Sequence, residues 1–450
     1  MTTINSTPHD LANTVLNKLS RAKTKIPLPN EEVLTTLFET IFYASLKTEE
    51  SQLIKVTITF IDPNNPDPNP PEDIPQDRWG LITFAEKVPL TVKSLVKISK
   101  AADPWSSSLA VHFDNDNNLY IWGMIDQALQ YQTFLNYERD FEPEKPGLFQ
   151  TTINGIGNIS VMFDYELIAS LNQNVLINKY VNVFNYGPIS NKLTEFVDPM
   201  KQITIEFLNK HFVEKANESW QREIEGIYKE TISRILIRIQ NYQHGGTLLI
   251  TKDPNKEINI KHKIKYDRLS KSIQFNFINV ISRIKYLETI VTDYVEPKKE
   301  SMSTSSCIRY LQTQMKNDQA YSELRGCIRY ISSLSCIDGL VVLTPTLNVL
   351  GFGTIIEFKE PPEYVYKSPI ATVNESKLIQ TKSNSFGTRH QSMIAYCHNN
   401  PEAIGFVVSQ DGDIRAFSQI NNKVIMWENI KVHQYKKSKK LKKILTKNGS

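Results

Sequence analysis

The 450-residue sequence lacks several features that would each indicate a function class. No window of about eighteen apolar residues occurs, so no membrane-spanning helix is predicted. The first twenty residues are polar and lack the uninterrupted apolar stretch of a secretory signal. Basic residues number 52 and acidic residues 48, an excess too small for a dedicated nucleic-acid binder. A cytoplasmic location is therefore expected.

Cysteine is scarce, and two common catalytic motifs are missing. The four cysteines are Cys307, Cys327, Cys336 and Cys397. They form no C-x-x-C pair, so neither a zinc site nor a disulfide framework is expected. The P-loop pattern G-x-x-x-x-G-K-S/T and the metalloprotease pattern H-E-x-x-H are also absent. Any nucleotide chemistry must therefore rest on other residues.

The first half of the sequence predicts helices followed by strands. Apolar residues recur at helical spacing within residues 1–50. Six prolines between residues 62 and 77 exclude regular structure and predict an extended loop. The apolar runs at 109–113 and 119–125 flank a polar turn and predict a β-hairpin. Residues 159–171 are predicted to pass from a strand into a helix.

The second half predicts a helical stretch and then a group of short strands. Helix is predicted from about residue 200 to 242, ending at a glycine pair, and a strand follows at 247–251. Further helices are predicted up to about residue 334. Between residues 336 and 430, short β-branched and aromatic runs predict strands, with one helix at 389–399.

These patterns predict a fold of the α+β or α/β class with several parts. Residues 1–198 are expected to form a β-rich α+β domain, and residues 199–231 a helical connector. A mixed β-sheet flanked by helices is expected at residues 232–432. The lysine-rich residues 433–450 are expected to form a flexible basic tail.

Three short segments in the second half carry residues suited to phosphoryl chemistry. Residues 338–340 begin a predicted strand with Asp-Gly, and residues 408–413 end another; each alone is typical of a turn. Residues 387–392 open a helix with Gly-Thr-Arg, which suits an anion site and equally suits a capping turn. Taken together, Asp338 and Asp411 provide two carboxylates for a magnesium ion that also binds substrate phosphates.

Together these segments resemble the diadenylate cyclase domain family, of the type found at the N-terminus of DisA. The family's two signature motifs appear as Asp338-Gly339-Leu340 and as Gly387-Thr388-Arg389-His390-Gln391. Residues 349–353 resemble the family's strand and loop at the adenosine pocket, and residues 403–409 resemble its strand ending in Ser-Glu-Glu. The whole layout resembles the subgroup with an N-terminal sensor domain called DACNV.

The resemblance implies an enzyme that condenses two ATP molecules into cyclic di-AMP and pyrophosphate, with Mg²⁺ or Mn²⁺ as cofactor. It implies that Asp338 is a metal ligand that helps to activate the ribose 3′-hydroxyl. Asp411 falls where the family has a metal-binding glutamate. The implied catalytic residues are Asp338, Gly339, Arg389 and His390. The implied ATP-binding residues are Gly351, Gly353, Gly387, Thr388, Gln391, Ser392 and Ser409.

Three positions depart from the family pattern: Leu340 replaces alanine, Gln391 replaces arginine and Asp411 replaces glutamate. Because the carboxylates remain, an active enzyme is the favoured interpretation. The alternatives are a related domain that binds a nucleotide without turnover, and a plain interaction protein. Two identical reactions related by a two-fold axis require a homodimer or a higher oligomer. The N-terminal domain is expected to regulate that pairing.

Overall fold

The computed structural model describes residues 2–21, 29–68, 79–104, 106–127, 147–211, 218–253, 258–295, 304–357, 360–410 and 412–433. These residues contain both helices and mixed sheets, which confirms the predicted fold class. They form two compact units that divide between Tyr180 and Val181. The functional limits predicted at residues 198 and 231 stay predictions. Of the predicted tail, residues 434–450 lie outside the described residues.

The first unit is built on a nine-stranded sheet with helices packed on one face. The strands follow the spatial order β1-β11-β10-β9-β8-β4-β6-β7-β5. The helices are α1 (Pro8–Arg21), α2 (Glu31–Ser45) and α3 (Val92–Ile98). The strands are β1 (Thr2–Ile4), β2 (Thr48–Glu49), β3 (Gln52–Leu53), β4 (Thr57–Phe60), β5 (Gly80–Pro89), β6 (Ser107–Phe113), β7 (Leu119–Asp126), β8 (Phe149–Gly155), β9 (Asn158–Phe163), β10 (Glu166–Asn172) and β11 (Val175–Ile177), with β2 and β3 pairing separately.

Of two features predicted for this unit, one is confirmed and the other is wrong. The hairpin of β6 and β7 is confirmed, with His112 opposite Tyr120. The helix predicted within residues 159–171 is wrong, because β9 and β10 form an antiparallel hairpin there. Its turn is Asp164-Tyr165, and both residues have positive φ, 49° and 66°. A two-residue hairpin turn of type I′ requires positive φ at both positions, but Asp-Tyr lacks the glycine that would have signalled it.

The helices of the second unit agree with the predicted positions, with corrected limits. The stretch predicted from 200 to 242 contains two helices, of which the first begins earlier than expected. Buried Ile232, Ile235 and Leu236 lie along the second of them, which confirms its apolar stripe. The helices are α4 (Gly187–His211), α5 (Glu218–Asn241), α6 (Arg268–Val295), α7 (Thr304–Leu334) and α8 (Thr388–Asn399). No helix among the described ranges is long and apolar enough to cross a membrane.

The second unit contains a ten-stranded mixed sheet. Its spatial order is β13-β16-β15-β12-β19-β20-β21-β17-β18, and β14 also pairs with β16. The strands are β12 (Gly246–Ile250), β13 (Ile258–Asn259), β14 (His262–Tyr266), β15 (Leu340–Leu343), β16 (Val349–Ile356), β17 (Tyr364–Lys367), β18 (Ile379–Lys382), β19 (Ile404–Val408), β20 (Ile414–Ile420) and β21 (Lys423–Trp427). The central strands β12, β15 and β19 are buried throughout, as expected for strands covered on both faces.

Candidate active site

The pairing of the three central strands brings the candidate segments to one edge of the sheet. β12 runs parallel to β15, with Leu248 opposite Val341, and antiparallel to β19, with Gly246 opposite Val408. The starts of β12 and β15 therefore lie at the same edge as the end of β19. Residues 338–339 directly precede β15, and residues 409–410 directly follow β19.

Gly245 marks the point where these segments meet the start of α8. A Cβ atom on Gly245 would lie 2.8 Å from Arg389 Nη1, 3.0 Å from the Val408 carbonyl oxygen and 3.3 Å from the Gln410 amide nitrogen. Arg389 Nη1 also lies 3.5 Å from the His244 carbonyl oxygen. Three segments that are far apart in sequence, the turn at Gly245, the end of β19 and the start of α8, thus meet at this edge.

Asp338 and Arg389 form an ion pair at this edge. Arg389 Nη2 lies 3.5 Å from Asp338 Oδ1, and the Asp338 side chain is 96% exposed while that of Arg389 is 36% exposed. An exposed pair with this separation stabilises a fold very little. The carboxylate remains accessible to a cation and the guanidinium to an anion, so the pair suits a metal-phosphate ligand.

The first turn of α8 adds positive potential beside this pair. Gly387 is the N-cap residue and has no side chain to cap the first turn. A Cβ atom on Gly387 would meet nothing within 4 Å, and Thr388 is exposed. Backbone N–H groups at such a helix start attract anions. Ser392 is half-buried one turn later.

Two of the predicted ATP-binding residues also hold local turns together. Gln391 Nε2 donates a hydrogen bond of 2.5 Å to the Phe386 carbonyl oxygen. The Ser409 hydroxyl oxygen accepts a hydrogen bond from the Asp413 amide at 3.0 Å, and the Ser409 amide donates to the Asp413 carbonyl at 2.9 Å. The Ser409 hydroxyl hydrogen can still be donated to a ligand.

His390 is half-buried, and its ring lies beside two aromatic side chains. The ring lies 5.9 Å from the Phe386 ring and 6.0 Å from the Phe417 ring, between centroids. Its Nε2 accepts a hydrogen bond of 2.7 Å from Arg415 Nη1. Burial, reinforced by Arg415 and then Arg389, lowers the pKa of His390 to about 4. The imidazole is therefore neutral at pH 7, and phosphate binding by His390 stays a prediction.

Arg415 was not predicted from the sequence, although it contacts a candidate residue directly. It is the second residue of β20 and lies 3.5 Å from Asp413 Oδ2 and 3.4 Å from Glu428 Oε1, in each case from guanidinium nitrogen to oxygen. Lys367 Nζ lies 3.0 Å from the same Glu428 oxygen. An arginine in a strand carries no motif, and its contact with His390 depends on the packing of α8 against β20.

Three of the glycines predicted for catalysis and for ATP binding lie close to neighbouring backbone. Gly339 has φ 114°, and a Cβ atom there would lie 2.5 Å from the Gly353 carbonyl carbon. Gly353 has φ 61°, and Gly351 closely approaches the His262 carbonyl oxygen of β14. Both 339 and 353 thus need glycine for backbone geometry. Leu340, which replaces the family's alanine, belongs to the buried core of the unit.

The donor set at this edge is compatible with a divalent cation that is bound together with phosphates. Asp338 supplies an accessible carboxylate, and Mg²⁺ needs only one or two carboxylates when phosphate oxygens and waters complete its shell. Asp411, the second predicted ligand, lies outside the described residues. Within the described ranges, no group of three or more His, Cys, Asp or Glu side chains is placed to hold a metal alone.

Comparison with known families gives information on the first unit. Residues 23–126 match the family described as "Probable sensor domain DACNV". This range lies within the first unit and contains none of the candidate site residues. A comparison with curated proteins gave no match. The N-terminal region is therefore similar to a sensor domain, in agreement with the sequence-based expectation.

Proposed function

We propose that the second unit is a diadenylate cyclase that condenses two ATP molecules into cyclic di-AMP, and that the DACNV-like region regulates it. The observation that carries the proposal is the convergence of Asp338, Arg389 and the strand end at Ser409 on one sheet edge. These residues come from the motifs that resemble the cyclase family. An accessible carboxylate beside an arginine and a helix start suits a nucleoside triphosphate with its cation.

In the proposed reaction, the 3′-hydroxyl oxygen of each ATP attacks the α-phosphorus of the other. Two phosphodiester bonds form, two bonds to pyrophosphate break, and the proton of each hydroxyl passes to the solvent. A bound Mg²⁺ or Mn²⁺ would supply charge neutralisation at the phosphates. Asp338 would hold the cation and orient the 3′-hydroxyl, while Arg389 and the first turn of α8 would hold phosphate oxygens.

The symmetry of this product requires two active sites that face each other. Each site holds one ATP, so the proposed enzyme works as a homodimer or a higher oligomer. The exposure of Asp338, 96% in the isolated chain, is compatible with an edge that approaches a second copy. Regulation by the N-terminal unit would then act on the pairing of two chains.

The second candidate function is nucleotide binding without turnover. It is favoured by Gln391, whose side chain is committed to the Phe386 carbonyl where the family has a second arginine. Incubation with ATP and either Mg²⁺ or Mn²⁺ distinguishes the two. Release of pyrophosphate together with a cyclic dinucleotide supports the enzyme, whereas tight ATP binding without product supports the alternative.

A further inference from the structure

Arg415 of β20 reaches the first turn of α8 through a hydrogen bond to His390. Arg415 Nη1 lies 2.7 Å from His390 Nε2, and α8 packs against both β19 and β20. The arginine side chain is only 20% exposed, so the bond is largely shielded from water. Phe417 lies two residues further along β20, and its ring centroid is 6.0 Å from that of His390. Because alternate residues of a strand share a face, Arg415 and Phe417 contact the imidazole from the same side of the sheet.

This hydrogen bond determines which nitrogen of His390 carries the proton. A guanidinium has donors and no acceptor, so Nε2 must accept, and the single proton of the neutral ring then lies on Nδ1. A doubly protonated ring would point an N–H group at the guanidinium and is disfavoured by the two like charges. None of the described residues accepts a hydrogen bond from Nδ1. Because His390 is half-buried, this N–H group can meet a ligand.

Acidic neighbours hold Arg415 in place and balance its charge. Its guanidinium nitrogens lie 3.5 Å from Asp413 Oδ2 and 3.4 Å from Glu428 Oε1, and both acidic residues are half-buried. Lys367 Nζ also lies 3.0 Å from the Glu428 oxygen. The two cations and two carboxylates therefore form a compensated network. An arginine engaged in this way is suited to orient a neighbouring side chain, whereas the more exposed Arg389 remains available to a phosphate.

The donor at Nδ1 belongs to the part of the unit that is suited to anions. His390 lies in the first turn of α8, next to Arg389, and the N-cap residue Gly387 has no side chain to bond the free N–H groups. Ionised phosphate oxygens are acceptors, so a neutral imidazole can bind one only through an N–H group. An imidazole with its proton on Nε2 would present the Nδ1 lone pair instead, which repels an anion. The tautomer therefore decides whether His390 attracts or repels a phosphate.

We propose that Arg415 is a positioning residue of the proposed active site: it holds His390 as the Nδ1–H tautomer, which donates a hydrogen bond to a phosphate oxygen of the bound nucleotide. This inference rests on the proposed function. Arg415 acts through His390 and does not itself contact the substrate. Position 415 lies outside every motif on which the cyclase resemblance depends, so the role belongs to this chain's own residues.

The direct test is the tautomer of His390 in the full-length protein without ATP, measured by nitrogen-15 NMR of labelled histidine at pH 7. The His390 signals are assigned by their loss in His390→Ala. The proton should lie on Nδ1 in the wild type, and Arg415→Met should shift the ring toward a mixture of both tautomers. Lys423→Met, which removes a different cation from an ion pair of the same unit, should leave the tautomer unchanged. A wild-type ring protonated on Nε2 would overturn the proposal, whether or not the Arg415 variant folds.

ATP affinity, measured by calorimetry, tests whether Arg415 acts through His390. Arg415→Met should weaken ATP binding by about threefold to tenfold, because the Nδ1–H donor is lost in part of the molecules. In the His390→Ala background the same change should alter the affinity by less than about twofold, since the group that Arg415 positions is absent. Lys423→Met should keep wild-type affinity for ATP.

The outcomes separate this inference from the function on which it rests. Equal losses of ATP affinity from Arg415→Met in the wild-type and His390→Ala backgrounds would overturn the positioning role while ATP binding stands. No loss from Arg415→Met in the wild-type background would overturn it as well. Wild-type protein that binds no ATP would contradict the proposed function, and the positioning role with it. The tautomer is measured without ATP, so the two failures are distinguishable.

Discussion

Asp338 and Arg389 are the charged side chains on which the proposed chemistry depends. Their separation of 3.5 Å and their exposure make them a poor source of stability. Their removal should therefore change ligand binding far more than folding. This separation of effects makes them suitable for mutagenesis.

Asp338→Asn should abolish product formation while leaving the fold intact. The side chain keeps its shape and loses the negative charge that would hold the cation. Because the residue is exposed, the free energy of unfolding should change by less than about 0.5 kcal/mol. Turnover with ATP and a thermal melt check the two halves of the prediction, and unchanged turnover would remove Asp338 from the proposed site.

Arg389→Ala should weaken ATP binding by about 1.5–3 kcal/mol, the range for a hydrogen bond to a charged group. The guanidinium lies beside the His244 carbonyl oxygen and the exposed Asp338 carboxylate, at the proposed phosphate site. Calorimetry with ATP measures the loss. Arg329→Ala, at an exposed arginine of α7, serves as the control and should keep wild-type affinity.

The neutral imidazole of His390 predicts a pH dependence of stability. Its folded pKa of about 4 lies below the unfolded value near 6.5, so the unfolded chain binds this proton more readily. This contribution to stability is fully present above pH 6.5 and is lost as the pH falls through 4. His390→Gln keeps an acceptor for Arg415 and should lose less stability between pH 7 and pH 5 in urea unfolding. Equal losses in both proteins would contradict the half-buried, neutral histidine.

At the scale of elements, the turn between α7 and β15 approaches β16 closely where Gly339 meets Gly353. Gly339 has φ 114°, and any side chain there would meet the Gly353 backbone at 2.5 Å. Gly326 of α7, by contrast, has open space around it. Alanine substitutions at Gly339 and at Gly326 can therefore be compared within one protein.

Gly339→Ala should destabilise the protein by at least about 2 kcal/mol, since both the backbone strain and the clash oppose it. Gly326→Ala should stabilise it by about 0.4–1 kcal/mol, because alanine restricts the unfolded chain and fits the helix. Denaturant unfolding measures both. A neutral Gly339→Ala would show that the tight approach to β16 is not needed.

The sequence predicted elements well where periodicity or glycine was unambiguous. The stripe at Ile232 and Ile235 indicated α5, and Gly-Thr-Arg indicated the start of α8 at Thr388. The β9–β10 hairpin was missed because its turn uses Asp164-Tyr165 instead of glycine. Arg415 was missed for another reason: its contact with His390 exists only because α8 packs against β20.

At the scale of the whole molecule, the chain divides into two compact units between Tyr180 and Val181, and the modular hypothesis stays a prediction. The sensor-like match ends at residue 126, within the first unit. Every described candidate residue lies in the second unit. Within that unit, Lys192 of α4 hydrogen-bonds Ser418 at 2.5 Å and the Gln419 carbonyl at 3.2 Å, so α4 packs against the sheet that carries the site.

A fragment that begins at residue 181 should therefore fold and bind ATP, and should unfold at a higher temperature than one that begins near residue 225, which lacks α4. If the first unit regulates pairing, specific activity of the longer fragment should rise with concentration more steeply than that of the full protein. Thermal melts and activity against concentration test both statements. A folded, ATP-binding fragment that is inactive at every concentration would show that the first unit completes the site.

The most direct test of the proposed cyclase is identification of the products formed from ATP. Purified full-length protein is incubated with ATP and Mg²⁺ or Mn²⁺, beside Asp338→Asn prepared in the same way, and products are identified by mass. The proposed reaction predicts cyclic di-AMP and two pyrophosphates for every two ATP consumed by the wild type, and none from the variant. ATP that is bound but recovered unchanged with either metal would contradict the proposal.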